Sequence, residues 1–128
     1  KADLEITINL SGLTNGRAQI GKVINPGFYE ACKSSFDAIG AGEKRASEFL
    51  IESRYSDAYD LPSALFAVYS AKRASESMLG VGKETDIGIL RDGQARIVSD
   101  EMKHALAAAY EKLRSTKPDL DTVVRLLK

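Results

Sequence analysis

The chain has 128 residues, the size of one typical domain, with 44% hydrophobic and 28% charged residues. Eighteen Lys and Arg balance 18 Asp and Glu, so the formal net charge is zero, which argues against a general binder of nucleic acid or other polyanions. Apolar runs are too short for a membrane span, no signal peptide is visible, and the single Cys32 excludes an internal disulfide. A reducing, cytoplasmic setting is therefore expected.

The first stretch, "DLEITINL" at 3–10, alternates strictly, with Leu4, Ile6, Ile8 and Leu10 on one face and Glu5, Thr7 and Asn9 on the other. That is the pattern of a half-buried strand. Asn15-Gly16 tolerates the positive φ of a type I′ hairpin turn. A second strand over 17–24 carries Ala18, Ile20, Val23 and Ile24, and Pro26-Gly27 makes another turn. Residues 28–39 read as a third extended segment, with Cys32 inside it as a small apolar residue.

A helix is expected over 43–53, with Ala46, Phe49 and Leu50 as its apolar stripe. After a break, Asp60 caps a second helix over 61–77, with Pro62 in its first turn and Leu65, Val68, Tyr69 and Met78 facing inward. The segments 85–91 and 95–99 flank "DGQ" and read as a hairpin. Ser99 or Asp100 caps a third helix to about Ser115, with a core stripe of Met102, Ala105, Leu106, Ala109 and Leu113. Beyond Pro118, Leu120, Val123, Val124 and Leu127 lie at the spacing of a short last helix. Strands are not regularly separated by helices, so the order predicts an α+β fold with largely antiparallel sheet and packed helices, in a single domain over 1–128.

Two glycine stretches invite a phosphate reading. Gly40-Ala41-Gly42 stands between an extended segment and a helix, but the third glycine of a dinucleotide fingerprint would fall on Arg45. "GVGKET" at 80–85 resembles a P-loop, but its first glycine would fall on Ser77 and Glu84 stands where Ser or Thr is required. It also follows a helix, whereas a P-loop runs from strand to helix. Both are read as tight turns that need small residues. His104, the only histidine, lies opposite Met102 and Leu106 and reads as a solvated side chain. One His and one Cys cannot make a usual zinc site, and no cofactor, metal or catalytic residue is assigned.

Taken in order, "LEITINLSGLTNGRAQIGKVINPGFYEA", "FDAIGAGEKRASEFL", "LPSALFAVYSAKRASESMLGVGKETDIGIL" and "RDGQARIVSDEMKHAL" resemble the C-terminal half of a proteasome-type N-terminal-nucleophile hydrolase subunit. This family includes 20S proteasome subunits and their bacterial relatives. The resemblance implies part of an αββα sandwich. It makes the Gly40-Ala41-Gly42 turn a junction between sheet and helix that binds no nucleotide.

The family's nucleophile is a Thr, Ser or Cys at the mature N-terminus, and this chain opens at Lys1 rather than Met, which suggests a processed or trimmed product. The aligned start lies in the middle of the family's subunit. The family's serine between the two turn glycines aligns with Ala41, its supporting Asp near Glu76 or Ser77, and its supporting Ser near Gly80. On this resemblance the chain is a non-catalytic portion that contributes to scaffold and assembly. It is a peptidase only if completed by a nucleophile half, and it is expected to be a homo-oligomer or to associate with that half. The alternative is a small α+β ligand-binding domain unrelated to proteolysis.

Overall fold

The computed structural model describes residues 7–25 and 27–128, and within them the fold is mixed α+β, with four helices and two small antiparallel sheets. Lys1, Leu4, Glu5, Ile6 and Pro26 of the sequence reading lie outside the described residues. The chain divides into two compact units, residues 1–98 and 99–128.

In the first unit, β1 (Thr7–Thr14) and β2 (Arg17–Ile24) form a hairpin in register from Thr14 opposite Arg17 to Thr7 opposite Ile24. The turn is type I′, with φ of 52° at Asn15 and 76° at Gly16, as the Asn-Gly pair demands. After the turn at Gly27, whose N–H donates to the Ile24 carbonyl at 2.7 Å, β3 (Phe28–Ala31) pairs with the other edge of β2. The third extended segment is therefore shorter than the sequence suggested. The strand ends at Ala31, with a last ladder bond from Cys32 N–H to Ile20 O, and residues 36–39 approach the glycine turn as irregular chain rather than as a strand. Cys32 lies just past the strand, its thiol donating to the Phe36 carbonyl at 3.0 Å.

The two faces of this sheet differ. Asn9 lines a groove with the first two helices, and its cross-strand neighbour Lys22 pairs with Asp37 at 3.4 Å. Leu13 and Ile20, on the same face by alternation, line an apolar slot with Leu65 and Val68. Ile8 and Leu10 point the other way, each 50% exposed, beside Tyr29 at 63%. The alternating apolar face read from the sequence is thus half-exposed rather than buried.

Helix α1 (Glu43–Glu52) begins at Gly42 and ends in a Schellman motif. Tyr55 N–H donates to Leu50 O and Arg54 N–H to Ile51 O, each at 3.0 Å, with Arg54 in the left-handed region at φ 55°. Helix α2 (Leu61–Ser75) starts on Asp60, whose Oδ1 accepts from Ser63 N–H at 2.9 Å. Leu50 of α1 packs on Ala67 and Ala71 of α2, with Phe36, Ala46, Phe49, Tyr55 and Tyr59 around them.

The inward face of α2 is narrower in side chain than the sequence stripe implied. Ala67, Tyr69, Ser70, Ala71 and Ser75 are buried, Leu65 is half-buried, and Val68 and Met78 are exposed. Small residues let α1 approach α2 closely, so the contact runs along the Ala67–Ala71–Ser75 line rather than through the larger apolar residues. The unit closes with a hairpin of β4 (Gly88–Arg91) and β5 (Gln94–Ile97), turning at Asp92 and Gly93 with φ 50° and 73°.

The second unit holds α3 (Asp100–Ser115) and α4 (Asp121–Leu127). Ser99 is the cap of α3, its Oγ accepting from Met102 N–H at 3.2 Å, and Asp100 and Glu101 suit the positive end of the helix. Leu106 is buried as expected, but the buried stripe continues through Tyr110, while Met102, Ala105, Ala109 and Leu113 are exposed. The Arg114 guanidinium lies over the Tyr110 ring at 5.7 Å. Leu120, Val123, Val124 and Leu127 are all exposed. No helix among the described residues is long and apolar enough to cross a membrane.

Candidate functional site

The two glycine stretches that the sequence singled out meet in space. Gly40 has φ +98°, which turns the chain, and its carbonyl accepts from Glu43 N–H at 3.1 Å as α1 begins. Gly42 is the N-cap with ordinary φ of −99° and no capping side chain. It is a glycine for want of room. A Cβ there would meet Ser75 Cβ at 2.8 Å and Val81 Cγ2 at 2.9 Å. Gly80, at φ +90°, brings the second turn against the first, and a Cβ on it would meet Ala41 Cβ at 3.3 Å.

Lys72 fastens the second turn to α2. Its Nζ donates to Gly82 O and to Glu76 Oε1, each at 2.8 Å. The other oxygen of Glu76 lies 3.5 Å from Arg73 Nε, so both carboxylate oxygens are held by cations of the same helix. Ser77 Oγ donates to the Ala74 carbonyl at 3.1 Å. Sequence reasoning missed the role of Lys72, which is half-buried in the middle of a polar-looking run. Its only sequence signal is the i, i+4 spacing to Glu76.

Around this junction lies a groove of about 660 Å³, within the size range of small-molecule sites. Its floor is apolar, with Ala46, Leu50, Val68 and Ala71, and its margin carries Asp37, Glu43, Lys83 and Glu84. Asp37 Oδ1 faces Lys22, while Oδ2 is buried without a hydrogen-bond partner among the described residues. Glu43 puts a carboxylate in the first turn of α1, where a phosphate would otherwise be favoured by the helix dipole. The junction is built as a packing contact between two turns and a helix.

His104 is exposed on α3, in the second unit, and Cys32 belongs to the first. Among the described residues no group of three or more His, Cys, Asp or Glu is arranged to hold a metal ion. Asp60 is the one described group whose titration is clearly displaced. Its carboxyl lies below the ordinary value of 3.8 because the Ser63 side chain and then the Ser63 N–H donate to it, an N-cap effect.

Compared with known proteins, the chain matches no family model, no curated protein and no solved structure.

Proposed function

We propose that this chain is the C-terminal portion of a proteasome-type N-terminal-nucleophile hydrolase subunit, one that serves scaffold and assembly and is not a peptidase by itself. The observation that carries the reading is the approach of Gly80 to Ala41, whose Cβ stands 3.3 Å from where a Gly80 Cβ would lie. The resemblance aligns these positions with two hydroxyl-bearing accessory residues of the family's catalytic site. Far apart in sequence, they lie against each other here, and between them they supply a methyl group and a hydrogen. The third aligned position, at Glu76 or Ser77, offers a carboxylate held by Lys72 and Arg73 or a hydroxyl donating to its own helix. Ala41 and Gly80 supply no group that could take a proton from a nucleophile.

Two further features support the reading. The order of a strand hairpin, two helices, a second hairpin and a helix agrees with the resemblance, except that residues 36–39, where the resemblance puts a strand before the glycine turn, are irregular chain. The half-exposed apolar face of Ile8, Leu10 and Tyr29 is what a sheet shows when a layered sandwich lacks its facing layer. The test is a peptidase assay of the purified chain on fluorogenic peptides with basic, acidic and apolar residues before the reporter. No turnover is expected. Activity that survives repurification and is abolished by changing one residue of this chain overturns the reading.

A small-molecule-binding domain is the second reading, favoured by the groove beside Ala46 and Leu50. A compound that raises the melting temperature of the wild type but not of Val68→Lys would favour it over the first.

A further inference from the structure

We infer that two copies of this chain join edge to edge through β1, antiparallel, about a two-fold axis beside Leu10, so that their sheets become one. The inference deepens the assembly role proposed above and rests on that reading for its biological setting, but its geometry comes from the strand edge alone.

Among the described residues β1 is an edge of the sheet, with β2 as its neighbour. The direction of its free backbone groups is fixed by a bond further in. Cys32 N–H donates to Ile20 O at 2.9 Å, so the backbone groups of Ile20 face the β3 side of β2. In an antiparallel ladder two opposed residues either bond to each other or both point away. Ile20 stands opposite Ser11. Ser11 therefore directs its N–H and C=O out of the sheet, and by alternation Thr7, Asn9 and Leu13 do the same. All four are exposed.

Natural edges are blunted by charges, by Pro or by a bulge. "TINLSGLT" contains no charged residue and no Pro, and it pairs with β2 without a bulge over its whole length. What such an edge lacks is the backbone of another extended strand. A second β1 fits, because two uncharged strands meet without repulsion and symmetric pairing closes the assembly.

Symmetry then selects the register. An axis normal to the sheet keeps each face on its own side, so residues placed opposite each other must both be odd or both be even in number. Bonded pairs must come from Thr7, Asn9, Ser11 and Leu13. The longest overlap meeting both conditions pairs Asn9 with Ser11 and Thr7 with Leu13 of the second copy. Leu10 then stands opposite Leu10, as a non-bonded pair. Its half-exposed side chain becomes buried against its mate, and the face of Ile8, Leu10 and Tyr29 runs on from one copy to the other.

The test uses the full chain in a Cys32→Ser background, which leaves no other thiol. Non-bonded antiparallel pairs have Cα atoms about 4.5 Å apart, within the reach of a disulfide. Leu10→Cys is expected to give a covalent dimer under mild oxidation, at least about tenfold faster than Leu79→Cys, a fully exposed control. Asn9→Pro removes an outward N–H and leaves the β1–β2 bonds intact. It is expected to weaken the sedimenting dimer at least about tenfold with circular dichroism unchanged.

A wild-type chain that sediments as a monomer up to about 100 µM overturns the inference, since the edge is then covered by something else or by nothing. So does cross-linking through Asn9→Cys in place of Leu10→Cys, which would mean another register. A dimer unaffected by Asn9→Pro in a folded variant overturns it as well. Peptidase activity in a dimer that cross-links at position 10 would remove the proposed function and leave this inference standing.

Discussion

Ser75 occupies the space that a side chain on Gly42 would need, its Cβ lying 2.8 Å from where a Gly42 Cβ would stand. Replacing Gly42 with Ala therefore overpacks the junction of α1, α2 and the second glycine turn. The expected cost is about 1–3 kcal/mol by urea denaturation. Because Gly42 has ordinary backbone angles, the cost is steric, and it should fall markedly in a Ser75→Gly background. Gly40 is the converse case, with open space around it but φ of +98°. Gly40→Ala should cost about 1–2 kcal/mol, and no second-site change that merely makes room should relieve it.

Arg54 ends α1 in the left-handed conformation that glycine adopts without penalty. Arg54→Gly is expected to raise stability by about 0.5–1 kcal/mol, since Arg54 makes no ion pair among the described residues. Unchanged or lower stability in thermal and chemical denaturation would show that its side chain contributes more than the strain costs.

Ser70 is 2% exposed, and its hydroxyl has no hydrogen-bond partner among the described residues. Removing an unsatisfied buried polar atom is favourable. Ser70→Ala should therefore stabilise the chain by about 0.5–2 kcal/mol, whereas Ser75→Ala, which removes a hydroxyl bonded to Lys72 O at 2.6 Å, should not.

The Asp60 cap predicts a pH dependence of definite sign. Donation from Ser63 holds its folded-state carboxyl below the ordinary value. The stabilisation is thus complete above the unfolded-state pKa and is lost as pH falls through the lower folded-state one. Asp60→Asn keeps an accepting oxygen but does not titrate. The stability of the wild type relative to Asp60→Asn should be constant above about pH 5 and decline below it. A difference that grows on acidification would contradict the capping account.

Elements governed by a few neighbouring residues were legible in the sequence. Asn15-Gly16 and Asp92-Gly93 turned as expected, the first because both central residues had to accept positive φ. Asp60 and Ser99 capped the helices that follow them because their side chains reach a backbone N–H three residues on. The α+β class followed from the order of those elements. The end of β3 was not legible, because an extended pattern at 36–39 says nothing about whether a neighbouring strand is there to pair with it.

What tertiary structure decided is which surface each element turns inward. Alternation put Ile8 and Leu10 on one face of β1, but their half exposure depends on what packs over that face, which the strand itself does not specify. Periodicity gave α2 an apolar side containing Leu65 and Val68, yet close approach of α1 selected the small residues Ala67, Ala71 and Ser75. Likewise Gly42 and Gly80 were each visible as turns, while the contact of their two loops, with Lys72 fastening it, arises between residues distant in sequence. Turns and caps are set by bond rotations and hydrogen bonds within one stretch of chain. The choice of buried face is set by steric fit and apolar area shared between stretches, which no single stretch encodes.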